Sequence, residues 1–445
     1  MEIDRPHGKS SILLYGLGVT GKSVINLFCQ YGWKVCLYTD SPDQVKPEEF
    51  EKYSDNFRII SDLDLIDWGE IAFVIKAPVI KRDRPLLIEA ESRGLEVMSD
   101  IEVAYRFFGG ERIIAITGSN GKTTTTSLLN HILNRCGLKA YACGNIGFPV
   151  LDACSEASEG DWLVCECSSF QLASVSKFKP HIGAILNISP DHLDWHGTYD
   201  DYIACKLRLA DNMDDKDLLL INGMDEILKK AYNEGALAPN TRIADFDGVL
   251  MDRMKEPGFL KLFGDHNRQN AIFAYEMARF IGLKEDEIIA AIKEFKSPAH
   301  RLEYVGNLGQ VDFINDSKAT NVDSAVKAIE ALEGPLILIA GGYDKEVDLG
   351  PFCQAFKGKG KFMVLMGATA EKISGQMSEL GMGDRVRLVE DMSEAVKLAF
   401  DLADPGDQIV LSPACASWGM YNNFEERGDD FKKAFQSLKL SGPKA

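Results

Sequence analysis

The stretch Arg112-Ile113-Ile114-Ala115-Ile116-Thr117-Gly118-Ser119-Asn120-Gly121-Lys122-Thr123-Thr124 decides how this chain is read. An apolar run of β type, residues 112–116, gives way to a glycine-bounded turn and then to a helical pattern reaching about Arg135. Glycines let the backbone curl so that several N–H groups point at one centre, and the helix that starts there turns its positive end the same way. Lys122 adds a full charge beside the β- and γ-phosphates of a nucleotide, and Thr123 or Thr124 offers a hydroxyl to Mg2+. The spacing is GxxGK[ST], shortened from G-x-x-x-x-G-K-[ST], because Ile116 stands five positions before Gly121. A plain glycine turn ahead of a helix is the alternative. The coincidence of strand, turn, lysine and threonines speaks against it.

Strand and helix alternate on both sides of this stretch. Before it come an apolar run at 11–15, Gly16-Leu17-Gly18-Val19-Thr20-Gly21, a helical pattern through Gln30, a strand candidate at 34–38, and further runs at 71–75 and 95–98. After it come runs at 162–167, 182–188 and 218–221 and a helix-like stretch at 267–281. The last third alternates again, with strand candidates at 311–315, 336–340, 362–366, 385–389 and 408–411. Such alternation predicts parallel sheets and the α/β class. At roughly 150 residues per domain, the length suggests three. We read three consecutive domains: a Rossmann-like N-terminal domain over 1–100, a central P-loop ATPase-like domain over 101–298, and a Rossmann-like C-terminal domain over 299–445.

Composition excludes several function classes. The 445 residues hold 49 Lys+Arg against 67 Asp+Glu, a formal net charge of -18. Such a surface is a poor partner for nucleic acid or an anionic membrane. No run approaches the ~20 apolar residues of a membrane span, and the first residues lack the order of a secretion signal. The ten cysteines are scattered, with Cys165-x-Cys167 the only close pair, as expected of reduced thiols in a cytoplasmic enzyme.

Other residues must say what the phosphate loop is for. Glu166 ends an apolar run, where a carboxylate can hold a hard cation against phosphate oxygens or simply pair with a lysine. His192 stands between Asp191 and Asp194 at another strand end, equally open to a metal or phosphate contact and to a plain surface role. Lys206, within Tyr202-Ile203-Ala204-Cys205-Lys206-Leu207, would face solvent in most helices. In the first domain Gly16, Gly18 and Gly21 fit GxGxxG, with Asp40 about twenty residues further on, which suits a diphosphate lying on the helix that starts near Thr20.

At this point the pattern resembles a known family. The run Ile116–Thr124 with Glu166-Cys167-Ser168-Ser169-Phe170-Gln171-Leu172, Asp191-His192-Leu193-Asp194 and Gly264-Asp265-His266-Asn267 is similar to the Mur ligases, which build the peptide stem of bacterial peptidoglycan. Asn315-Asp316-Ser317-Lys318-Ala319-Thr320-Asn321, Ser412-Pro413-Ala414-Cys415-Ala416-Ser417-Trp418 and Asn423-Phe424-Glu425-Glu426-Arg427-Gly428 resemble the member that adds D-glutamate to UDP-N-acetylmuramoyl-L-alanine.

The resemblance implies a cytoplasmic, ATP-dependent ligase acting through an acyl phosphate. It implies ATP on Gly118, Ser119, Asn120, Gly121, Lys122, Thr123 and Thr124, with adenine and ribose neighbours Asn267, Arg301 and Asp316. Thr123, Glu166 and His192 match the metal site. Lys206 matches a lysine that becomes carbamylated to hold a second Mg2+, and with Lys122, Glu166 and His192 makes the catalytic set. The UDP-linked substrate is expected on Gly18, Val19, Thr20, Asp40 and Asn145, and D-glutamate on Lys318, Thr320, Lys345, Ser417 and Phe424. One departure stands out: Ala77-Pro78-Val79 replaces the family's Ser-Pro-Gly, and valine lacks glycine's backbone freedom. The rival readings are another amide ligase of the superfamily, a nucleotide-dependent switch, and a dehydrogenase built on GxGxxG.

Overall fold

The computed structural model describes residues 9–440 apart from 147, 257–258, 261–263, 297–298, 333 and 346. Three sheets succeed one another along the chain. The first runs, edge to edge, Phe57–Ile60, Lys34–Tyr38, Ser11–Tyr15, Ile71–Lys76, Val97–Met98, all parallel. The second runs Thr241–Ile243, Leu218–Ile221, Ile182–Ile185, Ile113–Thr117, Trp162–Glu166, Ala140–Gly144, again all parallel. The third runs Glu303–Leu308, Val311–Asn315, Gln408–Leu411, Leu336–Ala340, Gly360–Leu365, Val386–Leu388, parallel except for the first pair. The class is α/β, as the alternation predicts.

Burial on both faces explains why the inner strands read as unbroken apolar runs. In Ser11–Tyr15, Ile12 and Leu14 join one buried cluster while Leu13 and Tyr15 join another on the opposite face. In Leu336–Ala340, Leu336, Leu338 and Ala340 face one cluster and Ile337 and Ile339 the other. The cluster under Ile12 and Leu14 also takes in Ile113, Ala115 and Leu163, so the first two sheets share a core.

The chain divides into two compact units. One takes the chain to Gly248 together with Asn270–Ile292; the other takes Val249–Gln269 and the chain from Lys293. The expected boundary at 100 falls at the start of helix Asp100–Phe108, and the one at 298 lies outside the described residues. The run expected at 182–188 is a strand only to Ile185: Leu186 N makes the last bond to the neighbouring strand, at Thr117 O, and Ile188 N turns to the Asp225 side chain, at Oδ2. No helix among the described residues is long and apolar enough to cross a membrane.

Candidate active site

Strand Ile113–Thr117 lies between Ile182–Ile185 and Trp162–Glu166. The chain leaves it on both sides, and a crevice opens at the C-terminal ends of the strands. The glycine turn sits there. Gly118 and Gly121 take φ of 154° and 84°, and helix Lys122–Arg135 starts at the second. A Cβ on Gly121 would stand 2.4 Å from Asn270 Oδ1. The turn is braced by side chains remote in sequence. Asn187 accepts from Asn120 N at 2.8 Å and donates to Asn120 O at 3.1 Å. Ser119 Oγ accepts from Ser189 N at 2.9 Å, with the Tyr202 hydroxyl 2.8 Å away. Sequence reasoning gave Asn187 and Tyr202 no role, since nothing in their own spacing marks them.

Two ammonium groups converge on this turn. Lys122 Nζ donates to Gly118 O at 2.7 Å and Ser119 O at 2.9 Å, and Lys206 Nζ donates to Gly118 O at 2.8 Å. The expectation that Lys206 faces solvent is overturned: it is 2% exposed. Helix Tyr199–Leu207, capped by Thr198 over Asp201 N, turns Tyr202 and Lys206 inward on one face, with Lys206 Nζ 4.6 Å from the Tyr202 ring centre. Burial first, and the Lys122 charge second, hold the Lys206 ammonium well below the usual lysine range.

Glu166 is also buried, within reach of the Lys206 charge, and its carboxylate oxygens accept from other side chains. Its Oε2 accepts from Thr123 Oγ1 at 2.8 Å and its Oε1 from Asn145 Nδ2 at 2.9 Å. Thr123 and Glu166 give hard oxygen donors beside the turn, the chemistry a magnesium ion takes. His192 has a left-handed backbone (φ 52°), lies 3.5 Å from Asp191, and packs its ring 4.9 Å from that of Phe170. Among the described residues, no group of three His, Cys, Asp or Glu side chains could hold a metal ion unaided. Thr124 is buried behind the turn. Burial, then the charges of His192 and Lys206, pull neighbouring His196 down to about 4.

The first sheet has its own glycine turn. Gly16 takes φ of 95°, Gly18 precedes helix Val19–Gln30, and Val19 is 69% exposed with Thr20 beside it. Asp40 accepts from the Tyr15 hydroxyl at 3.0 and 2.9 Å. Where the family's Ser-Pro-Gly would stand, Val79 takes no left-handed backbone, so glycine's freedom is not required. Buried Lys76 donates to Pro78 O at 3.2 Å, and burial pulls its ammonium down to about 8.

The remaining candidates belong to the second unit. Asp316 is buried, accepting from Leu302 N at 3.1 Å and Ser412 Oγ at 2.9 Å, and burial pushes its carboxyl up to about 7. Burial, then the Lys327 and Arg301 charges, pull His266 down to about 4, next to buried Asn267. Lys318 Nζ lies 5.3 Å from the Phe424 ring centre, and Lys345 Nζ 5.3 Å from that of Trp418, beside buried Ser417. Thr320 N bonds Lys318 O at 2.8 Å. Arg427, which the sequence left without a role, ties the two loops: it donates to Ser317 Oγ (3.0 Å), Ser317 O (2.8 Å) and Cys415 O (3.0 Å).

Comparison with known proteins identifies the family. Residues 116–278 match the Mur ligase middle domain, and residues 300–415 the Mur ligase glutamate ligase domain. A UDP-N-acetylmuramoylalanine--D-glutamate ligase of Thermoanaerobacter pseudethanolicus is 37% identical over 96% of this chain and 98% of its own length. The chain belongs to the Mur ligase family. A second relative of this Mur ligase, with the same printed name, comes from Caldanaerobacter subterraneus subsp. tengcongensis, at 36% identity over 96% of this chain and 98% of its own. Among solved structures, a MurF ligase from Thermotoga maritima in complex with ADP shares the fold, with a TM-score of 0.61 at 15% identity over 91% of this chain and 96% of that one.

Proposed function

We propose that this Mur ligase joins the amine of D-glutamate to the carboxylate of UDP-N-acetylmuramoyl-L-alanine, converting ATP to ADP and phosphate. One observation carries the phosphoryl chemistry: Lys122 and Lys206 share the Gly118 carbonyl at a helix N-terminus, beside the Thr123–Glu166 pair. Choice of substrates is supported by the names of relatives that match over nearly the whole chain.

A carboxylate is a poor electrophile because its charge is delocalised and oxide cannot leave. Attack of its oxygen on the γ-phosphorus makes an acyl phosphate and releases ADP; the D-glutamate amine then attacks the acyl carbon, and phosphate leaves with its electron pair. Gly118 to Thr124 take the nucleotide phosphates, and Asn267, Arg301 and Asp316 are assigned to adenine and ribose. Lys122 exchanges the loop carbonyls for phosphate oxygens, offsetting repulsion between triphosphate and carboxylate. Lys206, with its ammonium disfavoured by burial, adds carbon dioxide through its free amine, loses a proton and becomes an anionic carbamate. Thr123, Glu166, His192 and that carbamate would hold two Mg2+ ions, which supply charge neutralisation between the two anions. Gly18, Val19, Thr20, Asp40 and Asn145 are assigned to the UDP-linked substrate. Lys318 and Lys345 pair with the D-glutamate carboxylates, with Thr320, Ser417 and Phe424 around them, leaving the amine free. Such a reaction belongs in the cytoplasm, where ATP is supplied.

The test is direct. The protein is incubated with UDP-N-acetylmuramoyl-L-alanine, Mg2+ and ATP, and with D- or L-glutamate. Amide product and ADP are expected with the D isomer alone; ATP turnover indifferent to the amino acid overturns the proposal.

A further inference from the structure

The loop that departs from the family pattern, Ala77 to Lys81, follows the central-sheet edge of strand Ile71–Lys76 and is tied to a segment more than a hundred residues away. Trp195 Nε1 donates to Val79 O at 2.8 Å, and Lys81 Nζ donates to Asp194 O at 2.9 Å. From the near side Lys76 Nζ donates to Pro78 O at 3.2 Å. Two successive carbonyls of the loop are thus fixed, one from each side.

The Trp195 ring is itself immobilised. It packs 4.8 Å from Phe170 and 4.6 Å from His196. Phe170 in turn carries His192 on its ring at 4.9 Å. The indole therefore belongs to two structures at once, the loop at the C-terminal edge of the first sheet and the aromatic group that carries His192 beside the second. A glycine in place of Val79 would leave this loop free to choose among conformations. Here valine narrows the choice and the indole N–H fixes it.

We infer that Trp195 is a positioning residue for the UDP-linked substrate: its N–H sets the loop whose Ala77 and Ile80 pack against Gly16, in the turn assigned to this substrate, while its ring, through Phe170, sets His192 on the phosphate side. The inference deepens the proposed ligase reading and rests on it. Nothing in it requires Trp195 to touch a reacting atom.

Trp195→Phe keeps a six-membered aromatic ring against Phe170 and loses the N–H together with the five-membered ring that carries it, so it cuts the strap to Val79 O. Initial rates are measured with UDP-N-acetylmuramoyl-L-alanine, ATP and D-glutamate varied in turn, with calorimetric binding of the UDP-linked substrate alone. The KM and Kd for that substrate should rise about 3- to 10-fold, the range for the net worth of one hydrogen bond. The KM values for ATP and D-glutamate should stay at the parent's. Trp195→Ala, which also removes the ring against Phe170, should lower kcat as well. Should the Trp195 variants fail to fold, Lys81→Met cuts the neighbouring tie and should shift the same KM in the same direction. A parent-like KM for the UDP-linked substrate in Trp195→Phe, or a rise of all three KM values together, overturns the inference alone. Absence of amide product with the parent protein overturns the ligase reading and the inference with it.

Discussion

Two glycine turns open onto the C-terminal edges of the first two sheets, and they are equipped differently. Each follows the inner strand of a parallel sheet, each places a left-handed glycine just past that strand or at the helix start, and each hands over to a helix. The turn at Gly16–Gly21 offers backbone N–H groups and the helix end, roughly half a positive charge, and among the described residues no lysine bonds its carbonyls as at Gly118. Lys22, next in sequence to the turn, is paired with Glu49, and Asp40 holds the Tyr15 hydroxyl. The turn at Gly118–Gly121 has two lysines on one carbonyl and a buried carboxylate beside them. One backbone device thus serves two tasks. In the proposed reaction it holds a diphosphate when alone, and with converging charges it also stabilises a phosphoryl group in flight.

Removing the charge from the second turn should make it behave like the first. Lys122→Ala should lower kcat on the order of 10²- to 10³-fold, about 3 kcal/mol or more of transition-state stabilisation. Binding of the UDP-linked substrate should not change. ADP release measures the first and calorimetry the second; parent-like turnover would remove Lys122 from the chemistry. Lys206→Ala comes next, with a loss on the order of 2–3 kcal/mol. Because the lost group is read as a carbamate, formate or acetate should restore part of the rate. A variant that works nearly as well without added acid rejects the carbamate.

The second turn was legible in sequence because its chemistry is local: glycines, lysine and threonines adjoin one another and need no tertiary structure to be recognised. What braces it was not. Asn187 and Tyr202 reach the turn from 67 and 83 residues away, and only the fold brings them there. Helix periodicity left Lys206 facing solvent for the same reason, since it does not say which face is covered, and only the family resemblance gave that lysine a role in the site. The strands divide along similar lines. Ser11–Tyr15, Leu218–Ile221 and Gln408–Leu411 carry the expected bounds because they are inner strands covered on both faces. The four that escaped notice, Phe57–Ile60, Ala140–Gly144, Thr241–Ile243 and Glu303–Leu308, all lie at sheet edges and are partly exposed. The last pairs with Val311–Asn315 through Gly309 and Gln310, both left-handed, a two-residue turn disguised by glutamine where asparagine or glycine is usual.

Burial of charge sharpens the comparison in a third place. It acts on Asp316 in the opposite sense from Lys206, raising the carboxyl from an ordinary value near 4 to about 7. Between those values the folded chain binds the proton that the unfolded chain has lost. Stability is therefore fully present below pH 4 and declines as pH rises through 7. Asp316→Asn keeps an acceptor for Leu302 N and cannot ionise. Its melting temperature should gain on the parent's from pH 4 to pH 8, and parallel curves would mean that Asp316 ionises freely in the fold.

The smallest effects separate the glycines within the first turn. A Cβ on Gly21 would stand 2.4 Å from Gly16 O, a backbone atom that cannot rotate away, so Gly21→Ala must push helix Val19–Gln30 off the strand. That should cost about 1–3 kcal/mol and lower the melting temperature. A Cβ on Gly18 meets nothing within 4 Å, and Gly18 has negative φ, so Gly18→Ala should melt with the parent, within ~0.5 kcal/mol. Its methyl would nevertheless occupy the space through which a diphosphate approaches the helix N-terminus. Gly18→Ala should thus raise the KM for the UDP-linked substrate a few-fold and leave that for ATP alone. A loss of stability in Gly18→Ala, or its absence in Gly21→Ala, would mean that the two glycines are not divided between ligand approach and packing, and the likeness between the two turns would reach no further than their backbones.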